Sequence, residues 1–252
     1  MLNYIIKKLI THLLTRNKCS GFTLLELMLA SAVGGIVIAG GYTSYVILGK
    51  QYNRIVSFSE VQGEGIPAIR YIARDLRMAG RLSIDTSGAS PTFAPFYGTI
   101  DENNRITITD SDDNCCDSVV IIYDYEDSLT DPVRCQITYS VNTSDPDNQL
   151  LEVVVNTTDS ASGDLCPGDD GTNDASIVAE NIEDLQFELS DVNGITNKLV
   201  DVFMIIKSET QRDRPITYTK PAVAIGNYNF NSTDKFYRDE FAATINVKNT
   251  GQ

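Results

Sequence analysis

Leu2, Ile5, Ile6, Leu9, Ile10, Leu13 and Leu14 recur at helical spacing, with Lys7, Lys8, His12 and Arg16 off that stripe. Residues 1–21 therefore form a basic, apolar leader, either an interfacial helix on anionic lipid or a segment with no fold of its own. From Phe22 to Gly49 the chain runs FTLLELMLASAVGGIVIAGGYTSYVILG, with Glu26 as its one charge. About 20 apolar residues cross a bilayer, so residues 22–49 predict a membrane-spanning helix. Such a run exceeds the core helix of an ordinary soluble domain. Gly34-Gly35 and Gly40-Gly41 are weak points in it, each glycine disfavouring helix by about 1 kcal/mol relative to alanine. Ala30 with Gly34, and Gly35 with Ala39, also make small-xxx-small pairs that permit close helix contact in lipid. From Lys50 to Gly80 the pattern turns amphipathic, with Ile55, Phe58, Val61, Ile69, Ile72, Ala73 and Leu76 as the apolar stripe of a stem helix over residues 50–80. Gly63, Gly65 and Pro67 predict a kink or break in it, and Gly80 predicts its end.

Beyond residue 81 the helical period gives way to short alternating segments between turn-prone connectors. Strands are predicted over Arg105–Thr109, Ser118–Tyr125, Arg134–Val141, Leu150–Asn156, Ile182–Ser190, Leu199–Ser208 and Glu240–Lys248. Asn142 to Asn148 (NTSDPDN) predicts a hairpin loop, and Ser160–Ala175 a polar excursion. Glu209–Arg238, with Pro215 and Pro221, predicts a long irregular connection of the kind in which partner contacts tend to sit. The expected fold class is α+β: a long N-terminal helix packed against an antiparallel β-rich globular head over residues 81–252.

Charge then orients this plan. Formal net charge is −14, and Lys7, Lys8, Arg16 and Lys18 all precede Gly21, where no acid does. Basic flanks stay on the cytoplasmic side, so the head is expected outside, in the periplasm. Without the leader the chain holds 16 basic against 34 acidic residues, a net charge of −18. An acidic head gains little from phosphate backbones, and no nucleic acid is expected as a partner. Arg70, Arg74, Arg77 and Arg81 form one basic face, expected to pair with the acidic head or an acidic neighbour. His12 is the one histidine and lies in the leader, which removes imidazole-based catalysis from the mature chain. No nucleophile–base pair, phosphate loop or metal motif stands out, so no catalytic residue, cofactor or metal is predicted. Asp110–Asp113 and Asp169–Asp174 could offer oxygen ligands to Ca²⁺ but lack EF-hand spacing, and are expected to be solvated acidic loops.

Cys19 lies in the leader, and Cys115, Cys116, Cys135 and Cys166 remain as disulfide candidates. A simple hairpin of Ser118–Tyr125 with Arg134–Val141 would put Cys135 at the end far from Cys115 and Cys116, favouring Cys135 with Cys166. The small ring of a vicinal bridge argues the other way. The expectation adopted is cross-pairing, with Cys115 and Cys116 each joined to one of Cys135 and Cys166. Cys135–Cys166, with the other two free or vicinal, is the alternative.

Glu26 carries the most specific signal. A carboxylate near the start of a membrane helix is costly unless partnered, and is a functional candidate by default. A cut between Gly21 and Phe22 would place a new α-amino group one helical turn away, on the same chain or on a neighbour. Gly21-Phe22-Thr23-Leu24-Leu25-Glu26, behind a basic leader and before an apolar helix, resembles the class III signal of type IV prepilins and type II secretion pseudopilins. That resemblance implies cleavage after Gly21 by a prepilin peptidase, N-methylation of Phe22, and a docking role for Glu26 at a neighbouring subunit's N-terminus.

Ile72 to Gly80 (IARDLRMAG), Asp117 to Tyr123 (DSVVIIY), Glu180 to Phe187 (ENIEDLQF), the strand from Leu199, and Phe241 to Asn249 (FAATINVKN) resemble the PilW family of minor pilins. The family implies a type IV pilin-like fold and a structural role in initiating a type IV pilus at or near its tip. Its implied partners are the prepilin peptidase, other minor pilins, the major pilin and a tip adhesin. The implied location is the inner membrane, single-pass, and then the cell-surface pilus. The stretch Gly63 to Pro67 departs from the family helix. Two alternatives stay open: a large minor pseudopilin of a type II secretion system, and a tip adhesin or DNA-uptake binding module.

Overall fold

The structure is a computed structural model that describes residues 21–83, 99–100, 104–111, 115–126, 132–160, 163–192, 195–221, 225 and 230–247. The leader up to residue 20, Asp112 and Asp113, and the closing Lys248 and Asn249 lie outside the described residues. The chain divides into two compact units, one ending at Gln51 and the other covering Tyr52–Gln252.

Helix α1 covers Leu24–Met78 without interruption. Thr23 starts it: the Thr23 carbonyl accepts from Leu27 N–H at 3.1 Å, and the Thr23 hydroxyl oxygen accepts from Glu26 N–H at 3.2 Å. Thr23-x-x-Glu26 is therefore a capping arrangement as well as part of the signal. In the first unit the helix is apolar and exposed, with Leu24, Leu25, Ile36 and Ile38 each at least 74% accessible. The helix persists through both glycine pairs.

In the second unit the helix is amphipathic, but its buried line differs from the expected stripe. Ser57, Val61, Gly65, Ala68, Ile72 and Leu76 are buried, while Ile55 and Phe58 are exposed. The buried line is small where the helix meets the second sheet. A Cβ on Gly65 would overlap the ring of Phe241, so only glycine lets the two approach this closely. The predicted break at Gly63 to Pro67 does not occur as an interruption of the helix. Proline at position 67 denies a hydrogen bond to the Gly63 carbonyl, but both residues are exposed, so water can take its place. Packing of Val61, Gly65 and Ala68 on either side holds the turn helical. Gly80 ends the helix as expected, at a φ of 72° that favours glycine, and its N–H bonds to the Ile122 carbonyl at 2.8 Å.

Among the described residues eight strands follow: β1 Ile106–Thr109, β2 Ser118–Tyr125, β3 Val133–Asn142, β4 Leu150–Ser160, β5 Ser176–Ala179, β6 Ile182–Val192, β7 Ile195–Thr219 and β8 Asn231–Asn246. Two antiparallel sheets result, ordered β1-β2-β3-β4-β5 and β6-β7-β8, every strand beside its sequence neighbour. The NTSDPDN segment joins β3 to β4 as predicted, with Asn142 opposite Leu150. Strand β5 was not predicted; it is four residues at a sheet edge. The expected irregular connection over Glu209–Arg238 is instead largely a hairpin, since β7 and β8 pair out to Thr219 opposite Asn231. Register shifts between Lys207 and Gln211, and between Gln211 and Ile216, break the alternation there and hide the strand. Pro215 falls within the second shift, where no ladder partner is required of it.

One apolar core joins the helix and both sheets: Ile72 and Leu76 from α1 cluster with Val119, Ile121, Ile137, Leu151, Leu185, Met204 and Ile245. Asp117 links the sheets, its N–H donating to the Leu185 carbonyl at 2.7 Å and its carboxylate accepting from Phe187 N–H at 2.9 Å.

Candidate functional site

Gly21, Phe22 and Glu26 lie together at the exposed start of the first unit. A Cβ on Gly21 would meet nothing within 4 Å, and Phe22 is 78% accessible. Gly21 and Phe22, between which the sequence predicts a cut, are thus exposed, and so is the Glu26 side chain at the helix N-terminus. Farther along, Thr43 and Ser44 donate their hydroxyls to the carbonyls of Ala39 and Gly40 at 2.8 and 3.0 Å. These bonds satisfy the polar groups within the apolar run, as a lipid environment demands. The 0% burial of its most apolar window leaves the whole girth of this segment free for lipid or for another helix.

Around the second unit's helix the chemistry is structural. Asp75 is buried and accepts from Tyr139 Oη at 2.6 Å and Arg74 Nε at 2.8 Å. Burial first, then the Asp75 charge, pushes the Tyr139 phenol far above its ordinary value, and the same causes push Tyr123 up to about 12. Asp124 takes Arg134 Nε at 2.7 Å and Ser83 N–H at 3.1 Å. Asp184 is raised by burial despite a Lys220 ammonium at 2.8 Å. Each of these carboxylates has a partner inside the fold.

The same helix end walls a cavity of about 690 Å³, lined by Tyr71, Arg74, Met78, Tyr123, Tyr125 and Tyr139 and rimmed by Pro167 and Gly168. Its size and its apolar walls suit a small ligand. Sequence patterning does not find it, because its tyrosines come from α1, β2 and β3 and meet only once the strands are in register. The four arginines at positions 70, 74, 77 and 81 are exposed. Arg74 pairs with Asp75 of its own helix and lies 5.3 Å from the Tyr71 ring centre; the expected pairing of this face was with the acidic head or an acidic neighbour.

The cysteines correct the cross-pairing expectation. Cys135 is bonded to Cys166, with Cα atoms 5.7 Å apart, and Cys115 is bonded to Cys116 across a cis peptide bond. Strands β2 and β3 are direct neighbours, with Tyr123 opposite Cys135, so Cys135 sits at the end remote from Cys115 and Cys116. The Cys166 bond secures the Pro167-Gly168 rim to β3. In the following loop the Asp169 carboxylate accepts from Thr157 N–H at 2.7 Å and Gly171 N–H at 2.8 Å, and Asp170 accepts from Thr172 N–H at 3.0 Å. The hydrogen bond from the Thr157 hydroxyl, with the Gly171 and Thr157 amides, holds Asp169 below its ordinary value. Among the described residues no group of three or more His, Cys, Asp or Glu side chains is arranged to hold a metal.

Residues 16–42 match the family model described as the prokaryotic N-terminal methylation motif. The match supports a type IV pilin-like protein. It covers Gly21, Phe22, Glu26 and most of the apolar run, and implies processing by a prepilin peptidase and assembly with other pilins. Comparison with curated proteins and with solved structures finds no match to the chain. A long apolar N-terminal helix and antiparallel sheets together fit the type IV pilin-like α+β fold.

Proposed function

We propose that this pilin-like chain is a minor pilin resembling the PilW family, a structural subunit that helps initiate a type IV pilus and sits at or near its tip. The observation that carries this is an N-terminal methylation motif at the start of one unbroken helix whose later turns pack into the β-rich second unit. After cleavage behind Gly21, the Phe22 amine and the Glu26 carboxylate would neutralise one another between neighbouring subunits as the apolar helices gather. Before assembly the chain is held in the inner membrane with its head in the periplasm; afterwards it is part of the surface filament. Its partners are the prepilin peptidase, other minor pilins, the major pilin and a tip adhesin. Its work is assembly and involves no catalysis. Deletion of the gene should abolish or sharply reduce surface pili, and mass spectrometry of the mature protein should find N-methylated Phe22 as its first residue. A strain lacking the protein that keeps its pili but loses type II secretion would transfer it to the pseudopilin role.

The cavity beneath Tyr71 and Arg74 favours a second reading, in which the head also binds a ligand as a tip module. Saturable binding of a surface glycan by the full chain, lost in Tyr71→Ala, would support it.

A further inference from the structure

In the second sheet Leu185 and Met204, opposite one another, face the apolar core, while Asp184 and Gln186, opposite Ile205 and Phe203, point to the sheet's other face. Asp184, Gln186, Phe203 and Ile205 are buried there all the same. Lys220 lies over them: its side chain is 7% exposed, with Nζ 2.8 Å from Asp184 Oδ2 and 5.0 Å from the Phe203 ring centre. Lys220 comes just after β7, where its N–H donates to the Phe230 carbonyl at 2.9 Å across the hairpin. A straight strand would carry it about 50 Å beyond Ile205. The register shifts between Lys207 and Gln211, and between Gln211 and Ile216, let the hairpin bend back so that Lys220 lands on Asp184.

This is a poor setting for an ion pair. A lysine ammonium brings three N–H donors to a dry face, and both charges lose their water. Asp184 Oδ2 and Lys220 Nζ touch at 2.8 Å without hydrogen-bond alignment, and neither has a hydrogen-bond partner among the described residues. Burial raises the Asp184 pKa, which drives the pair toward its neutral form, a carboxylic acid beside a free amine. The other carboxyl oxygen, Oδ1, accepts from Gln186 Nε2 at 2.9 Å. A neutral amine held against a carboxylic acid, with a donor on the acid's second oxygen, supplies the parts of an amide condensation.

We propose that Lys220 and Asp184 join in an intramolecular isopeptide bond, Nζ to Cγ, that ties the end of β7 to β6. The ammonium first passes a proton to Oδ2. The Nζ lone pair attacks Cγ, and the displaced electron pair rests on Oδ1, stabilised by the Gln186 N–H. As that pair returns, the Cγ–Oδ2 bond breaks, and the hydroxyl takes a second Nζ proton and leaves as water. The ammonium's protons are thus divided between one amide N–H and one water, and no other reactant is consumed. The product carries no charge, which suits the dry face better than the ion pair did. It depends on the second unit alone and not on assembly into a pilus.

Mass spectrometry of the full chain, reduced and denatured, should find it lighter by one water than its sequence requires once any leader cleavage and methylation are counted. A protease digest should contain one branched peptide linking Lys220 to Asp184. K220R keeps the charge but removes the amine nucleophile, and should have its full mass. Full mass and two separate peptides in the parent would overturn the bond and leave an ion pair. A missing water that persists in K220R would place the dehydration elsewhere and overturn it as well. Gln186→Leu should slow accumulation of the branched peptide in freshly made chain by about a hundredfold. An unchanged rate would strike Gln186 from the step. The parent's own digest decides the bond whether or not either variant folds.

Discussion

Arg238 is only 8% exposed, yet it reaches two carboxylates: its Nη1 donates to Asp234 Oδ1 at 2.6 Å and its Nη2 to Glu183 Oε1 at 2.8 Å. A buried guanidinium is tolerable only when its charge and donors are matched in this way. The hydrogen bond from Arg238 holds the Asp234 carboxylate well below its ordinary value of 3.8. A carboxylate depressed on folding contributes stability above its unfolded pKa, and that contribution fades as pH falls through the folded value. Acid unfolding followed by circular dichroism should therefore steepen below about pH 4, and Asp234→Asn should flatten that limb while costing about 1 kcal/mol at pH 7. At the other end of the chain Glu26 is exposed at the start of α1. Glu26→Gln should leave cleavage and membrane insertion intact but lower recovery of the protein in sheared pili by tenfold or more, on the order of the cost of one lost charge pair in lipid. Normal recovery would count against docking.

Among the elements, α1 shows how a local rule yields to its surroundings. Gly63, Gly65 and Pro67 all disfavour helix, and the helix crosses all three. Gly63 meets only open space, whereas a side chain at Gly65 would overlap Phe241. Gly65→Ala should destabilise the head by about 1–3 kcal/mol, and Gly63→Ala should stabilise it by up to about 1 kcal/mol. The same substitution two residues apart, with effects of opposite sign, separates tertiary packing from intrinsic propensity; similar urea midpoints for the two would refute the close approach at Phe241. The Cys135–Cys166 bond closes a sequence separation of 31 residues between β3 and the loop after β4. On the chain-entropy account its loss should cost about 3–4 kcal/mol, measurable as a lowered urea midpoint in C135A/C166A. Non-reducing peptide mapping should recover Cys135 and Cys166 in one linked fragment.

On the scale of the molecule, a basic leader precedes an apolar run, and an acidic head follows it. The four cations and the absence of any acid before Gly21 predict, by the positive-inside rule, that this end stays cytoplasmic and that the head is open to protease from the outer face of the inner membrane. Proteinase K added to intact spheroplasts should digest the head and leave a protected fragment containing the apolar helix. Protection of the head until lysis would reverse the orientation.

The N-terminal methylation motif and the long apolar helix were legible in the sequence because each depends on residues within a few turns of one another: a length of apolar chain and a capping threonine. The well-alternating strands were legible for the same reason, and Ser118–Tyr125 is occupied as predicted. The bulged outer part of β7 and β8 was not, since a shifted register erases the period that marks a strand. Only the tertiary structure decided which cysteines bond, because β2 lying beside β3 fixes the distance from Cys115 to Cys135. It alone set Gly65 under Phe241 and Tyr139 on Asp75, pairs whose partners lie 64 residues or more apart in the chain. Contacts across such separations arise from sheet register and helix placement, quantities to which every residue of the core contributes and no short segment carries.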